Sequence, residues 1–468
     1  MKLTKFGKAL AIGALSAAVV FGVTSCVESY TVGYLYVTGT VTASTGSNGI
    51  ISGYKIDHNT GQLTPINTLP VSSGGANPVR AYLTLGSRFL YVLNRGVSAA
   101  GSGDCFGSGA NAGDEPCENA NISEYAVGGN GTLTFQEQFF SQGINPFRMM
   151  VDSSGNYIFV LDHDAPDNVS PSSKDNCALA LGTGVTTCGD VTVFKIDQTT
   201  GRLSLVVNAQ VTAANGQPLT YFPVPANPVD FVLSGGFVLT LAGAPTPTSY
   251  PYVGGTLVFP YAYSSSTGQL TLSQNSSQPL GIGQGTAIVN ASSVIYVLDN
   301  EPLTITATNG PFSAGAYSSQ VLPYSVGSGG ALQAEPSGAF PIDARLANPI
   351  QAMVESKGKF LYVANQGNNT TGPNPESGIS AYFLTSAPAY QLSFISDEQT
   401  AVTGSGSGPQ CIVEDPSDQF VYEANEYDST VTGRVLDPDT GDLTNMRVLS
   451  TYKLEGPPTW CLVDGRTS

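Results

Sequence analysis

The chain has 468 residues, only 11% of them charged, and its 18 lysines and arginines are outnumbered to a net charge of -17. Binding to nucleic acid by phosphate neutralisation is excluded on that balance, and attraction to an anionic lipid surface is disfavoured. The 54 glycines and 22 tyrosines, with few strong helix formers, describe a turn-rich β protein, and a closed all-β fold accommodates this length as one domain.

At the start, Lys2, Lys5 and Lys8 precede an uncharged apolar run from Ala9 to Val23. This is the layout of a signal peptide, and the run is too short for a membrane span. It ends in Val23-Thr24-Ser25-Cys26, which resembles the bacterial lipobox, whose cysteine is diacylated and then becomes the first residue. The expectation is a lipoprotein-type signal over residues 1–25, a short tether over 26–33, and an extracytoplasmic chain anchored to the bacterial envelope through Cys26. Val27 stands where inner-membrane retention signals often place Asp, which favours the outer membrane or cell surface over the periplasmic leaflet.

From Tyr34 onward one pattern repeats at roughly 60-residue intervals. An aromatic strand recurs as YLYVTG (Tyr34 to Gly39), FLYVLN (Phe89 to Asn94), YIFVLD (Tyr157 to Asp162), GFVLTL (Gly236 to Leu241), VIYVLD (Val294 to Asp299), FLYVAN (Phe360 to Asn365) and FVYEAN (Phe420 to Asn425). Between these lie glycine hairpin turns such as DHNTGQL (Asp57 to Leu63), DQTTGRL (Asp197 to Leu203) and DPDTGDL (Asp437 to Leu443), in which Gly supplies positive φ and Leu starts a core-facing strand. A third marker, Asn-Pro or Gly-Pro before an apolar run, recurs at Pro78, Pro146, Pro228, Pro349, Pro409 and Pro457 and fails near Gly285.

Each unit therefore reads as strand a after the Pro, aromatic strand b, a variable loop, strand c, the Gly turn and strand d. The prediction is an all-β, seven-bladed β-propeller over residues 34–468, with four antiparallel strands per blade. Strand b opens the first unit, and an unpartnered strand a, Pro457 to Asp464, ends the last. The C-terminal strand is accordingly expected to complete blade 1, which leaves no open sheet edge. Separate β-sandwiches or an open solenoid would leave that strand unexplained.

Cys26 apart, the six remaining cysteines fall as Cys105 with Cys117, Cys177 with Cys188, and Cys411 with Cys461. An even number in an exported chain suggests disulfides. The first two pairs are expected to staple b-to-c loops. The third, in matching places of CIVE and CLVD, is expected to tie the last blade to the first. The spacing is not that of a zinc framework, because only His58 and His163 are available to join it. The acidic run Asp437 to Asp442 lacks the downstream Glu of a calcium loop and is read as a turn, and His58 as an exposed turn residue. No metal and no cofactor is expected.

In such a meander the b-to-c and d-to-a connections share one face. That face holds the insertions Arg95 to Asn121, His163 to Asp190, Gly243 to Gly255, Glu301 to Gln320 and Gln366 to Gly378, and binding residues gather on variable loops. Arg80, Arg148, Asp230 and Gln351 each stand three places after the repeat Asn and are expected in register near the channel mouth. They read as a ligand-orienting ring with the two arginines as clamps, or as polar residues that hold water. Asp162-His163-Asp164 follows strand b on the same face, where the imidazole is a weak candidate for a general base.

The aromatic strands, Pro-initiated inner strands and TG-x-L turns resemble the lactonase-type seven-bladed propellers, which include a bacterial 6-phosphogluconolactonase, and the related YVTN-repeat surface proteins. The resemblance spans the mature chain and concerns scaffold positions. It implies a lactone hydrolase with inner-strand histidines and basic residues at the mouth. Here NPVRAYL (Asn77 to Leu83) and NPFRMMV (Asn145 to Val151) keep Arg80 and Arg148 but carry no histidine. The leading expectation is a monomeric envelope module that presents its looped face to a ligand or protein partner. A lactone hydrolase built on Arg80, Arg148 and His163 is the rival, and a purely structural surface protein is the third reading.

Overall fold

The computed structural model describes residues 30–465, apart from 42–47, 85, 99–116, 167–174, 244–254, 274–277, 281–282, 293, 305–316, 343–345, 368–376, 386–389 and 400–406. Cys26 and Cys105 lie outside the described residues, as does part of each of the five insertions. The described strands form seven antiparallel sheets of four or five strands. In blade 3, for instance, strand a is Ile144–Val151, b is Tyr157–Asp164, c is Cys188–Ile196, and d is split into Leu203–Leu205 and Phe222–Pro225. Successive inner strands touch one another and close a ring around a central channel.

Blade 1 is made from both ends of the chain. Strand b, Thr31–Thr40, pairs with the C-terminal strand a, Pro458–Asp464, in a register that sets Tyr34 opposite Asp464 and Val37 opposite Cys461. The first strand begins at Thr31, three residues before the boundary expected from the repeat. In blade 4, strand b is Phe237–Ala242, so the copy read as GFVLTL is one residue out of phase: Ala242 pairs with Pro228 as Asn94 pairs with Pro78.

Strand b is apolar at almost every position because both of its faces are covered. Side chains alternate across a strand, so Tyr34 and Tyr36 pack toward blade 2 while Leu35 and Val37 pack toward blade 7. The interior is thus a set of seven slabs, one between each pair of neighbouring blades.

The aromatic strand and the glycine turn, read as separate markers, are hydrogen-bonded partners across four of the seven slabs. The Tyr36 hydroxyl donates to the Gly131 carbonyl at 2.9 Å, Tyr362 to Gly441 at 2.8 Å and Tyr422 to Gly61 at 2.7 Å, and Tyr91 donates to Gly201. Each acceptor belongs to the turn of the next blade, and Tyr422 to Gly61 closes the circle. A Cβ on Gly61, which has φ 67°, would stand 2.5 Å from the Phe420 ring, and one on Gly441 2.5 Å from Phe360. Glycine is needed there for its backbone conformation and for the close approach of the neighbour's aromatic ring.

The Asn-Pro marker shapes the channel end. Asn77, Asn145, Asn227 and Asn348 adopt φ between 51° and 59°, a left-handed conformation that Asn tolerates. The carbonyls of Asn77, Asn227 and Asn348 accept the N–H of the residue just past strand b, as Arg95 to Asn77 at 3.0 Å. A bulge follows the Pro in each inner strand, between Pro78 and Arg80, Pro146 and Arg148, Pro228 and Asp230, and Pro349 and Gln351. The extra residue re-aims the side chain that comes next.

Candidate ligand site at the channel mouth

Because the bulge recurs, the position two residues after the Pro is the same in every blade. It holds Trp460, Arg80, Arg148, Asp230, Ala287, Gln351 and Cys411 in blades 1 to 7. The four expected polar residues do share this ring. Side chains here reach toward the next blade: Asp230 Oδ2 accepts the Ile288 N–H at 3.1 Å, and Gln351 Oε1 accepts the Ile412 N–H at 2.8 Å.

That rule corrects the reading of the third cysteine pair. Cys411 and Cys461 are disulfide-bonded with Cα atoms 5.9 Å apart, but they are not at matching places. Cys411 pairs with Ala424 two residues past its Pro, whereas Cys461 pairs with Val37 three residues past Pro458. A one-step offset turns the two side chains to facing sides of adjacent blades, which equivalent positions would not do. Cys177 and Cys188 are also bonded, over a short helix, Asp175–Leu181, and a satellite core with Ala165, Leu219 and Tyr221. Cys117 is itself in a disulfide.

The cationic side of the mouth lies on blades 2 and 3. The Arg80 guanidinium stacks 4.0 Å from the centre of the Trp460 ring and donates to its neighbour's carbonyl, Val79 O, at 2.7 Å. Arg148 Nε stands 3.3 Å from Asp230 Oδ1. Arg95, which sequence reasoning did not single out, comes from the residue after strand b and joins them. Burial pushes Arg80 down to about 9, with the charge of Arg148 the next cause, and pushes Arg95 down to about 10, again with Arg148 second. Arg80 keeps partial access to solvent despite its dense surroundings. The guanidinium groups of Arg80 and Arg95 are therefore poorly hydrated and sit in the field of Arg148, which disfavours their charge until an anion arrives.

The residue one place past the repeat Asn or Asp of strand b forms a second ring nearer the loops. It holds Arg95, His163, Asn300, Gln366 and Glu426 in blades 2, 3, 5, 6 and 7. On blades 6 and 7 it is amide-rich: Gln366 Nε2 donates to Glu426 Oε2 at 2.8 Å, Gln410 Nε2 donates to the same oxygen, and Asn348 Nδ2 donates to Gln366 Oε1 at 2.6 Å. The signal for this ring was the repeat itself, one place beyond the conserved-looking Asn of the aromatic strand.

Asp162, His163 and Asp164 do not follow strand b; they are its last three residues. Alternation then separates them. His163 Nδ1 meets Asp164 Oδ2 at 2.8 Å and the ring lies edge-on to Phe147, with the residue only 8% exposed. Asp162 points away from the imidazole, to Ser141 and Thr192. His163 is thus not an exposed histidine between two acids: Asp164 meets its Nδ1 and Asp162 faces away. His58 is not fully exposed either: it is half-buried and stacks on Tyr30 at 4.4 Å. Among the described residues no group of three or more His, Cys, Asp or Glu is placed to hold a metal ion, and no helix is long and apolar enough to cross a membrane.

Blade count, ring closure and channel define a seven-bladed β-propeller that resembles the lactonase type. Residues 47–177 match the family model described as lactonase, 7-bladed β-propeller. Among solved structures, a periplasmic gluconolactonase from Pseudomonas aeruginosa is similar, with 16% identity and TM-score 0.60 over 92% of this chain and 99% of that one. A 6-phosphogluconolactonase candidate from Bacteroides fragilis has 13% identity and TM-score 0.59 over 92% and 98%. A hypothetical selenium-binding protein from Sulfolobus tokodaii has 10% identity and TM-score 0.57 over 94% of each chain. At these identities the likeness is one of fold, and no curated protein matches the sequence.

Proposed function

We propose that this chain is an exported, lipid-anchored β-propeller that binds an anionic ligand at the channel mouth and does not hydrolyse it. The observation that carries the reading is the packing of Arg80, Arg95 and Arg148 into one side of the mouth, where burial first and the charge of Arg148 second depress the other two. A carboxylate or phosphate placed among them relieves that repulsion and accepts charge-assisted hydrogen bonds. Binding without hydrolysis is supported by the burial of His163 and by the lack of histidine in the inner strands that carry Arg80 and Arg148.

Two disulfides and the fold likeness to a periplasmic protein support an extracytoplasmic site. Four residues lie between Cys26 and Thr31, a reach of at most about 18 Å. Strand b of blade 1 enters the ring at the end that carries the a-to-b turns. An anchor at Cys26 therefore sets that turn face against the membrane and points the mouth and loops away from it. Replacement of Cys26 by Ala is expected to release the protein from the membrane fraction into the soluble one; continued membrane association would remove the anchor from the reading.

The single tryptophan, Trp460, lies under Arg80 and reports on the site. Titration with gluconate, 6-phosphogluconate and neutral glucose is expected to change Trp460 fluorescence with one or both anions only. Arg148→Ala should weaken that binding by roughly 10- to 100-fold, the loss of a charge-assisted contact. An equal response to the neutral sugar, or none to either anion, would overturn the proposal. A hydrolase is the second reading, favoured by the fold likeness to a gluconolactonase: turnover of a lactone that His163→Ala abolishes would establish it instead.

A further inference from the structure

Blades 2 and 3 carry the same buried polar site beneath the loop face, built with different chemistry. In blade 2, Asn94 ends strand b, and its Nδ2 donates to Asn121 Oδ1 at 3.0 Å, to Ser123 Oγ at 3.2 Å and to Ser73 O at 2.9 Å. Ser73 comes from the d-to-a strap and donates to Asn94 Oδ1 at 2.6 Å. Gly75 of that strap lies so close that a Cβ would stand 2.6 Å from Asn94 Cβ. Every role recurs in blade 3: Asp162 for Asn94, Asp190 for Asn121, Thr192 for Ser123, Ser141 for Ser73 and Gly143 for Gly75.

Both amides have become acids. Asp162 and Asp190 are each 0% exposed, stand directly opposite each other in the register of strands b and c, and share Thr192 Oγ1 as a donor. Two ionised carboxylates have only acceptors to offer, so a hydrogen bond between this pair needs a hydrogen on one of them. The hydroxyl donors present, Ser141 Oγ and Thr192 Oγ1, reach Asp162 Oδ2, and Thr192 also reaches Asp190 Oδ1 at 3.3 Å. Asp162 Oδ1 is buried with no hydrogen-bond partner. Besides Asp190 the charge that acts on the site is Asp164, on the same strand and of the same sign. The facing elements supply Ser141, Gly143 and Thr192, which are uncharged. Among the described residues no third His, Cys, Asp or Glu is placed with the pair to hold a metal ion.

We propose that Asp162 and Asp190 share one proton, which stands where blade 2 has the Asn94 amide hydrogen and makes blade 3 an alkali-sensitive latch under the ligand face. Like charges in a dry site cannot both ionise, so loss of the proton drives the two strands apart at their loop ends. The parts held there are the strap Ser141 to Gly143, the His163–Asp164 pair and the root of the Cys177–Cys188 loop at Cys188. Burial raises Asp162 from 3.8 to about 8. The folded state then binds the proton more tightly than the unfolded chain, so the contribution to stability is full below about pH 4, declines as pH rises, and is gone above about pH 8.

The test compares the wild type with Asp162→Asn, which restores the blade 2 amide. Between pH 5 and pH 8 the melting temperature of the wild type should fall relative to that of the variant, and the difference should level off above about pH 8. In the infrared, the wild type should show at pH 7 a protonated-carboxyl C=O component, lost above pH 8, that is missing from Asp162→Asn, whereas the carboxyls of Glu124 and Glu414, which burial raises to about 7, contribute equally to both. Asp190→Asn provides the same infrared readout if the first variant does not fold. Parallel melting profiles with no such band would overturn the proposal. So would a rise in melting temperature with calcium or magnesium in the wild type alone, which would assign the pair to a cation.

Discussion

The junction between blades 7 and 1 and the junction between blades 4 and 5 close the same ring by different means. At the first, Tyr422 donates to Gly61 O, Gln62 Nε2 donates to Leu449 O at 2.9 Å, and Cys411 is bonded to Cys461. At the second, Leu239 takes the place of the tyrosine, the hydroxyl that reaches the glycine turn is that of Ser273, donating to Gly329 O at 2.6 Å from the outer edge of blade 4, and the inner strand begins at Gly285 without a proline. Apolar packing remains there, with the Asp230 contact to Ile288 N and Asn290 Nδ2 donating to Leu233 O at 2.9 Å. The chain runs unbroken through blades 4 and 5, whereas strands a and b of blade 1 are joined by hydrogen bonds alone. Reinforcement is concentrated where covalent continuity is missing.

Removal of Cys411–Cys461 by paired serine substitution should have the largest effect on this contrast. The bond closes a 50-residue loop, for which a chain-entropy account gives about 4 kcal/mol. Denaturant unfolding of the double variant should show that loss, with blade 1 the first region to exchange its amide hydrogens. The equivalent change at Cys177 and Cys188, separated by 11 residues, should cost about 3 kcal/mol or less and leave blade 1 protected. If early exchange appeared at blades 4 and 5 instead, the seam would not be the weak point. Tyr422→Phe should have the smallest effect, about 1 kcal/mol for one buried hydrogen bond, read from the same denaturant midpoints. No change there would mean that ring packing alone carries the junction.

The architecture was legible in the sequence because strand b is buried on both sides and so repeats as an unbroken aromatic and aliphatic run. The glycine turns were visible for a related reason: each must admit a neighbour's ring. The pairing of Tyr36 with Gly131 or Tyr422 with Gly61 was not visible, because it links residues of different repeats. The Cys411 and Cys461 offset escaped notice because CIVE and CLVD look alike, and only the bulge after the proline shows that their phases differ. At the candidate site, counting from the repeat Asn located Arg80, Arg148, Asp230 and Gln351. It missed Arg95, which lies at the root of an insertion, and it grouped Asp162 with His163 although strand alternation sends them to opposite sides.

The pairing of Tyr34 with Asp464 also bears on how the chain order could be rearranged. In every other blade a short turn joins the end of strand a to the start of strand b, as from Val151 to Tyr157. A linker of similar length from Gly465 to Tyr30 would give blade 1 the hairpin it lacks, and the chain could then be opened at an exposed turn elsewhere, such as the one around Ser153. Such a circular permutant would keep all seven slabs, move the seam to another blade, and leave the Cys411–Cys461 bond as a redundant brace.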